Sequence, residues 1–191
     1  MIFAHPKAVV FDWDGTILDS AEPTYRTYVR LFAHFGIPFG RADFARTYSP
    51  NWYRTFRALG VEETLWPEAD ALWMAYFAEE SIALFPGARE ALDLLHDHGV
   101  TRAIVTSGGR ERVSREVDAL GVGHHFEQIV FGCDTQHRKP HPEGLHICLD
   151  RLGIKPEEAV YIGDSPEDVL MAKAANVRSI AVPGGYPNRE A

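Results

Sequence analysis

The chain has 191 residues, of which 46% are hydrophobic and 24% charged, a composition that excludes a disordered protein and suffices for one substantial core plus a small second unit. Its formal net charge of −8 argues against a nucleic-acid-binding surface, which needs a basic stripe. No apolar run approaches the ~18 residues of a membrane helix, and residues 1–7 lack the features of a signal peptide, so we expect a cytoplasmic protein.

The first predicted element is a buried strand over residues 8–11, Ala-Val-Val-Phe, which ends in two carboxylates. Asp12 and Asp14 are spaced i and i+2, and Gly15 lets the backbone turn directly after them. Asp-Gly alone is equally typical of an ordinary turn. Because a buried strand rarely leads into two unpaired acids without a cation or a reaction, the context favours a functional site at this strand end.

The next 65 or so residues contain helical patterns and no convincing strand. Apolar spacing, Gly and Pro predict helices over about 22–37, 41–48, 51–59 and 67–84. An all-helical insert between a strand and the following α/β region is typical of a small cap on a larger domain. We therefore predict a core formed by 1–19 and 86–191 and a helical cap formed by 20–85.

From residue 86 onward, helices and strands alternate. The patterns predict helices over about 88–98, 110–120, 142–152 and 166–175, and strands over 102–106, 128–131, 159–162 and 179–182. Five short apolar strands with helical crossovers predict an α/β fold with a doubly wound, parallel, five-stranded sheet. Asn176 follows the last helix and is compatible with a left-handed backbone conformation there.

Two of the later strands are followed by residues that suit a phosphate. Thr106, Ser107 and Gly108 follow the second strand and offer hydroxyls and glycine-exposed N–H groups ahead of a helix. Ser107 is equally explained as a cap of that helix. Lys139 follows the third strand, where a solvated surface charge is the ordinary interpretation of a lone lysine.

The fourth strand ends in Gly-Asp-Ser-Pro-Glu-Asp, residues 163–168. Ser165 as N-cap, Pro166 at the first helical position and Asp168 at the third explain most of this stretch as the start of a helix. Helix initiation leaves Asp164 unexplained, and Asp164 is therefore a candidate functional carboxylate.

The order of these four strand ends resembles the four motifs of the haloacid dehalogenase-like (HAD) superfamily. The resemblance is carried by Asp12-x-Asp14-Gly-Thr, Thr106, Lys139-Pro-His-Pro-Glu and Gly-Asp164-Ser with Asp168, and it covers nearly the whole chain. A helical insert directly after the first motif is similar to the class I cap of phosphoglycolate phosphatase-like and β-phosphoglucomutase-like members. Asn176 stands where the family commonly has glycine.

The resemblance implies a catalytic role for each motif. Asp12 is expected to attack phosphorus and form an aspartyl phosphate, while Asp14 protonates the leaving oxygen and later deprotonates water. Thr106 and Lys139, with Ser107 and Gly108, are expected to hold the phosphoryl oxygens. The implied cofactor is Mg²⁺, with Asp12, Asp14 through its backbone carbonyl, Asp164 and Asp168 as the metal-binding set.

The implied function is a phosphatase acting on a small phosphorylated metabolite, with no nucleic-acid or membrane partner, as a monomer or weak homodimer. A phosphomutase and a catalytically idle regulatory member are the alternatives. The loop 48–52, Tyr-Ser-Pro-Asn-Trp, lacks the glycine usual in similar phosphatases, so it is expected to be stiffer, and Asn51 and Trp52 are candidate substrate-binding residues.

The remaining reactive side chains are interpreted as structural. Cys133 and Cys148 are too few for a disulfide framework and are expected to be buried thiols. The four histidines that occur in close pairs are interpreted as surface residues: His96, His98, His124 and His125.

Overall fold

A computed structural model describes residues 5–187 of the chain, so part of the expectation about residues 1–7 lies outside the described residues. Its centre is a five-stranded sheet in which every paired strand is parallel and the strand order is β3-β2-β1-β4-β5. The strands are β1 (Ala8–Phe11), β2 (Thr101–Val105), β3 (Gln128–Val130), β4 (Ala159–Gly163) and β5 (Arg178–Ala181). The predicted doubly wound parallel sheet is thereby confirmed.

The longer helices occupy the predicted positions, with bounds that differ by a few residues. They are α1 (Ala21–His34), α2 (Arg41–Thr47), α3 (Trp52–Ala58), α4 (Trp66–Ala78), α5 (Ala88–Asp97), α6 (Arg110–Ala119), α7 (Glu143–Leu152) and α8 (Pro166–Ala174). The largest error concerns α4, which was predicted to continue to residue 84.

The segment after α4 is extended because it pairs with the chain that leaves β1. Leu18 and Leu84 form an antiparallel bridge. The amide of Asp19 donates to the carbonyl of Ala83 at 2.9 Å, and the amide of Phe85 donates to the carbonyl of Ile17 at 3.0 Å. These tertiary bonds satisfy backbone groups that a longer helix would have paired internally, so the helix ends early. The two connections to the helical insert consequently lie side by side.

Each face of the sheet is covered by a separate helical layer. Val10 and Tyr161 point to one face and pack in a buried cluster with Leu145 of α7 and Met171 of α8. Alternate residues point to the other face, where buried Val9, Phe11 and Ile104 pack with Leu92 of α5 and Val113 of α6. Burial on both faces explains why β1 is a continuous apolar run without polar alternation.

The helical insert has a buried cluster of its own, formed mainly by aromatic side chains of α1 to α4. Tyr28, Phe32 and Phe44 lie at its centre, with ring centroids of Tyr28 and Phe32 stacked at 5.5 Å. Tyr186, from the segment after β5, belongs to the same cluster. The insert is all-helical as expected, whereas its division from the core at residues 20 and 85 stays a prediction.

Local backbone chemistry follows the sequence at the last helix. Ser165 caps α8 by accepting the amide of Asp168 at 3.2 Å, and Pro166 occupies the first helical position. Asn176 adopts φ 57°, so the expectation of a left-handed residue after α8 is confirmed. Within residues 5–187, no helix combines the length and apolar character that a bilayer crossing requires.

Two of the assignments made to reactive side chains are wrong. Cys148 is buried in the sheet–helix core, but Cys133 is exposed because it lies in a short turn, Gly132–Asp134, directly after β3. His125 is buried with 3% exposure, since its turn, Gly123–His125, packs against α5. Its Nε2 lies 3.6 Å from a carboxylate oxygen of Asp93.

Candidate active site

The predicted site residues meet at the carboxyl ends of the strands. Asp12 follows β1, Thr106 follows β2 and Asp164 follows β4. Since these strands are adjacent and parallel, their ends open at the same edge of the sheet. The amide of Asp12 donates to the carbonyl of Ile162 at 2.8 Å, so the backbone at the start of the site is still held by the sheet.

The ammonium of Lys139 lies between two of the acidic side chains of the site, Asp12 and Asp168. Lys139 reaches the site from the loop between β3 and α7, and its Nζ donates to Asp12 Oδ1 at 2.8 Å, to Asp168 Oδ1 at 2.7 Å and to the hydroxyl of Tyr161 at 2.7 Å. Burial alone would lower the pKa of Lys139, but Asp12 and Asp168 raise it overall. The Lys139 ammonium is therefore buried with three hydrogen-bond partners and is not a solvated surface lysine.

Asp168 orients Lys139 and also caps α8. Its Oδ1 accepts from Lys139 and from the Tyr161 hydroxyl, and its Oδ2 accepts from the amide and the hydroxyl of Ser165. Burial would raise the pKa of Asp168, but Lys139 and Ser165 hold it below its usual value. All four contacts fix one carboxylate orientation, while direct metal binding by Asp168 stays a prediction.

Asp12 and Asp164 carry an electrostatic cost that a cation would relieve. Burial, partly opposed by Lys139, raises the pKa of Asp12 to about 7, and burial together with repulsion from Asp12 raises that of Asp164 to about 8. One carboxylate oxygen from each of Asp12, Asp164 and Asp168 lies within 4.8 Å of the others. Oxygen donors in such a cluster suit Mg²⁺.

Two glycines make room for the carboxylate of Asp164. A side-chain carbon at Gly15 or at Gly184 would overlap this carboxylate, and Gly15 also has φ 79°, which other residues rarely adopt. The backbones of both glycines therefore pack directly against the carboxylate of Asp164. This space and the donor set together fit a divalent metal ion.

Asp14 is held apart from the other acids by a buried arginine. Arg112 of α6 binds it through two parallel hydrogen bonds, at 3.0 Å to Oδ1 and 2.5 Å to Oδ2. The same guanidinium donates to Glu116 at 3.1 Å, and Glu116 accepts from the indole of Trp13 at 2.8 Å. Burial would lower the pKa of Arg112, but Asp14 and Glu116 raise it overall. The bidentate pair fixes the orientation of the Asp14 carboxylate.

The loop after β2 places its hydroxyl and backbone groups beside the acids. Thr106 is buried, and its Oγ1 accepts the amide of Gly108 at 3.0 Å. Gly109, not Ser107, occupies the N-cap position of α6, so the helix-cap interpretation of Ser107 is wrong. Thr106, Ser107 and Gly108 line the same cavity as Asp12 and Lys139.

That cavity has a volume of about 480 Å³ and lies between the strand ends and the helical insert. Its far wall is largely aromatic, with Tyr48 stacked on Tyr186 at 4.5 Å between ring centroids. Trp52 also lines the cavity, and its indole donates to Asp70 at 2.7 Å. Asn51 is not among the described residues that line it: its backbone amide donates to the hydroxyl of Ser49, and its buried Oδ1 has no hydrogen-bond partner within residues 5–187.

Sequence reasoning missed several residues of the site, chiefly Arg112, Glu116, Tyr161 and Tyr186. Arg112 and Glu116 are spaced i and i+4, a pattern typical of a solvated helix face. Their burial depends on contacts with Asp14 and Trp13, about a hundred positions away. Tyr161 was interpreted only as part of a strand. No sequence pattern marks these four residues as functional.

Comparisons with known proteins agree with this geometry. The family model of haloacid dehalogenase-like hydrolases matches residues 9–182. Phosphoglycolate phosphatase 1 of Pseudomonas aeruginosa is 33% identical, covering 95% of this chain and 71% of its own length. Pyrophosphatase PpaX of Bacillus velezensis is 32% identical, covering 92% and 82%.

Among solved structures, a Lactobacillus plantarum protein described as a candidate phosphoglycolate phosphatase superposes with a TM-score of 0.88 at 27% identity, covering 96% of this chain and 90% of its own. The match to the family model spans the carboxyl ends of β1, β2 and β4, which Asp12, Thr106 and Asp164 follow, and the loop between β3 and α7 that carries Lys139. The chain therefore belongs to the haloacid dehalogenase-like hydrolases.

Proposed function

We propose that this enzyme is a Mg²⁺-dependent phosphatase that hydrolyses the phosphate monoester of a small metabolite through an aspartyl phosphate on Asp12. The observation that carries the proposal is the separation of the two acids of the first motif. Asp12 is bound by Lys139, whereas Asp14 is bound by Arg112. Two carboxylates in different environments can perform two different roles, which nucleophilic attack and proton transfer require.

In the first step, a carboxylate oxygen of Asp12 attacks phosphorus, and the bond from phosphorus to the leaving oxygen breaks. Asp14 gives to that leaving oxygen the proton that it takes from water at the end of each catalytic cycle. In the second step, water attacks the phosphorus of the aspartyl phosphate, Asp14 takes a proton from the water, and the bond to Asp12 breaks. Asp14 therefore acts first as the acid and then as the base.

The phosphoryl oxygens would be bound by the ammonium of Lys139 and by hydrogen-bond donors of the loop after β2. Lys139 is within 2.8 Å of the Asp12 carboxylate, and Thr106, Ser107 and Gly108 line the same cavity as these two residues. When Mg²⁺ is bound, Asp12, Asp164 and the backbone carbonyl of Asp14 would hold it, and it would neutralise charge on the phosphoryl oxygens.

The names of the relatives differ in substrate, since one is a phosphoglycolate phosphatase and another a pyrophosphatase. We therefore propose the reaction class and leave the leaving group to experiment. The test is a phosphate-release screen over sugar phosphates, phosphoglycolate, nucleotides and pyrophosphate, with Mg²⁺ and with a chelator. Release that requires Mg²⁺ supports a phosphatase. Isomerisation of a sugar phosphate without release indicates the phosphomutase, and neither activity indicates an idle binding protein.

The Asp12→Asn variant tests the nucleophile. We expect turnover to fall by about 10³-fold or more, because an amide oxygen is a poor nucleophile and the covalent intermediate cannot form. Circular dichroism and thermal unfolding should show an intact fold, since the amide retains the shape of the carboxylate. Trapping of radiolabelled phosphate on wild-type protein, and its absence on the variant, is the direct readout. A variant that retains substantial activity would exclude Asp12 as the nucleophile.

A further inference from the structure

A second group of potential metal ligands lies outside the carboxylate cluster, around the start of α7. It consists of His137, His141 and Glu143, each of which offers one ligand atom within 4.8 Å of the others. His137 Nδ1 lies 2.9 Å and His141 Nδ1 lies 4.0 Å from the same carboxylate oxygen of Glu143. The two imidazole rings are stacked, with centroids 4.3 Å apart.

The backbone holds Glu143 in place before any ligand arrives. Its carboxylate accepts the amide of Gln136 at 3.1 Å and the amide of His137 at 2.8 Å. Both carboxylate oxygens are thus oriented by the chain, and only the two exposed imidazole rings need to adjust around an ion.

The donor chemistry differs from that of the catalytic cluster. Asp12, Asp164 and Asp168 offer only oxygen atoms, which suit Mg²⁺, whereas two imidazoles with one carboxylate suit borderline ions such as Zn²⁺, Co²⁺ and Ni²⁺. We propose that His137, His141 and Glu143 form a second metal site, which binds one divalent transition-metal ion with solvent in its remaining positions. This proposal does not depend on the phosphatase activity.

The hydrogen bonds now present are compatible with such an ion. His137 Nδ1 lies within hydrogen-bond distance, 2.9 Å, of a carboxylate oxygen of Glu143, so an ion bound by both atoms would replace this contact. His141 Nδ1 accepts the backbone amide of Glu143 at 3.3 Å and lies 4.0 Å from a carboxylate oxygen of the same residue. This long bond is weak and would be exchanged for a metal–nitrogen bond near 2.0 to 2.1 Å, roughly the usual value for zinc.

The position of the site gives it a consequence for the active site. Lys139 lies between His137 and His141 in the chain, and its ammonium binds Asp12. An ion held by both histidines would link the two chain segments that flank Lys139. His137 and His141 also line a small pocket together with Thr106 and Lys139. Metal binding is therefore expected to restrict the movement of the loop that carries the phosphate-binding lysine.

The experiment uses the full chain without an affinity tag, stripped of metal and held in excess Mg²⁺ so that the oxygen-only cluster is occupied. Titration with Co²⁺, followed by visible absorption, should show one ion per chain with ligand-field bands characteristic of nitrogen and oxygen donors. Binding should persist in Asp164→Asn, which weakens the catalytic cluster and leaves the histidines intact.

Single variants His137→Ala and His141→Ala should each weaken Co²⁺ binding by about tenfold or more, in line with the loss of a ligand. Both side chains are exposed, so neither change should affect folding. His146→Ala is the matched control, because His146 is an exposed histidine on α7 outside the cluster, and it should bind Co²⁺ as wild type does. Equal affinity in all three variants, or no saturable binding by wild type, would overturn the proposal.

Discussion

At the residue scale, we expect Arg112 to act as a positioning residue for Asp14. Its side chain is 7% exposed and forms a two-point ion pair with Asp14, backed by Glu116. It also lies over the rings of Trp73 and Phe77 on α4, with its guanidinium carbon 5.8 and 5.4 Å from their centroids. Arg112 thus connects the proposed acid–base residue to the helical insert.

We predict that Arg112→Lys lowers kcat by about tenfold while KM changes little. Lysine keeps the charge but lacks the planar fork that holds both oxygens of Asp14. The loss should be largest for substrates with poor leaving groups, because these depend most on proton donation. Steady-state kinetics over a series of aryl phosphates measures this dependence.

The control for Arg112 is Arg115→Met, which removes an exposed arginine from the same helix. It should leave both constants unchanged. If Arg112→Lys instead raises KM and leaves kcat unaltered, the arginine binds substrate and does not position Asp14.

The raised pKa of Asp164 predicts a pH-dependent stability of the metal-free protein. Its usual pKa is 3.8 and its pKa in the folded chain is about 8, mainly because of burial and then because of Asp12. Between these values the folded chain holds a proton that the unfolded chain has released. The free energy of unfolding therefore falls as the pH rises through this window.

Asp164→Asn removes that titration. In a chelator at about pH 8, we expect the variant to be more stable than wild type by on the order of 2 kcal/mol, or about 5 °C in Tm, with little difference near about pH 5. Thermal unfolding across this range provides the measurement. Added Mg²⁺ should stabilise wild type more than the variant. A Tm difference that stays constant with pH would contradict the assigned cause.

At the element scale, residues of the loop 48–52 and of α3 form part of the wall of the cavity that Asp12 and Asp14 also line. Trp52, the first residue of α3, is held by its hydrogen bond to Asp70. The guanidinium carbon of Arg138, next to Lys139 in the chain, lies 4.7 Å from the centroid of a Trp52 ring. Trp52 is therefore held by the helical insert, through Asp70, and by the loop between β3 and α7, through Arg138.

We predict that Trp52→Ala changes the ranking of substrates by kcat/KM, by about tenfold for the best one, and leaves Mg²⁺ affinity unaltered. The indole of Trp52 lines the cavity, and its hydrogen bond goes to Asp70, which is not one of the proposed metal ligands. Trp66→Phe is a suitable control, because Trp66 bonds the carbonyl of Val61 and does not line the cavity. An unchanged ranking, or a weakened metal site, would rule out a specificity role for this wall.

At the scale of the whole molecule, the cavity between sheet and insert is large for a two-carbon substrate. Its volume of about 480 Å³ lies within the range of roughly 300 to 1,000 Å³ that is usual for ligands of drug size. Its walls include Tyr28, Tyr48, Trp73 and Tyr186, whose rings offer apolar contact. A phosphorylated two-carbon acid would leave most of this apolar surface in contact with water.

We therefore expect the best substrate to carry a leaving group larger than glycolate. Under identical Mg²⁺ conditions, kcat/KM for sugar or nucleoside monophosphates should exceed that for phosphoglycolate by about tenfold or more, because more apolar surface is buried in the transition state. Parallel progress curves for the panel make the comparison. A clear preference for phosphoglycolate would show that the cavity closes down around a small substrate.

The sequence alone determined the parallel sheet and the order in which its strand ends supply polar residues. Continuous apolar runs, helical spacing and turn residues are local signals. Such signals suffice to predict the strand β1 and the residues that cap α8. The positions of Asp12, Thr106, Lys139 and Asp164 followed from the rule that parallel strands open at one edge.

Only the tertiary structure decided which partners these residues have. Arg112 reaches Asp14 across 98 positions, Tyr161 reaches Lys139 across 22, and Tyr186 returns from the end of the sheet to pack in the insert. The early end of α4 likewise depends on pairing between Leu18 and Leu84. Burial, pKa and hydrogen-bond partners depend on side chains that are distant in sequence, and no local pattern encodes that proximity.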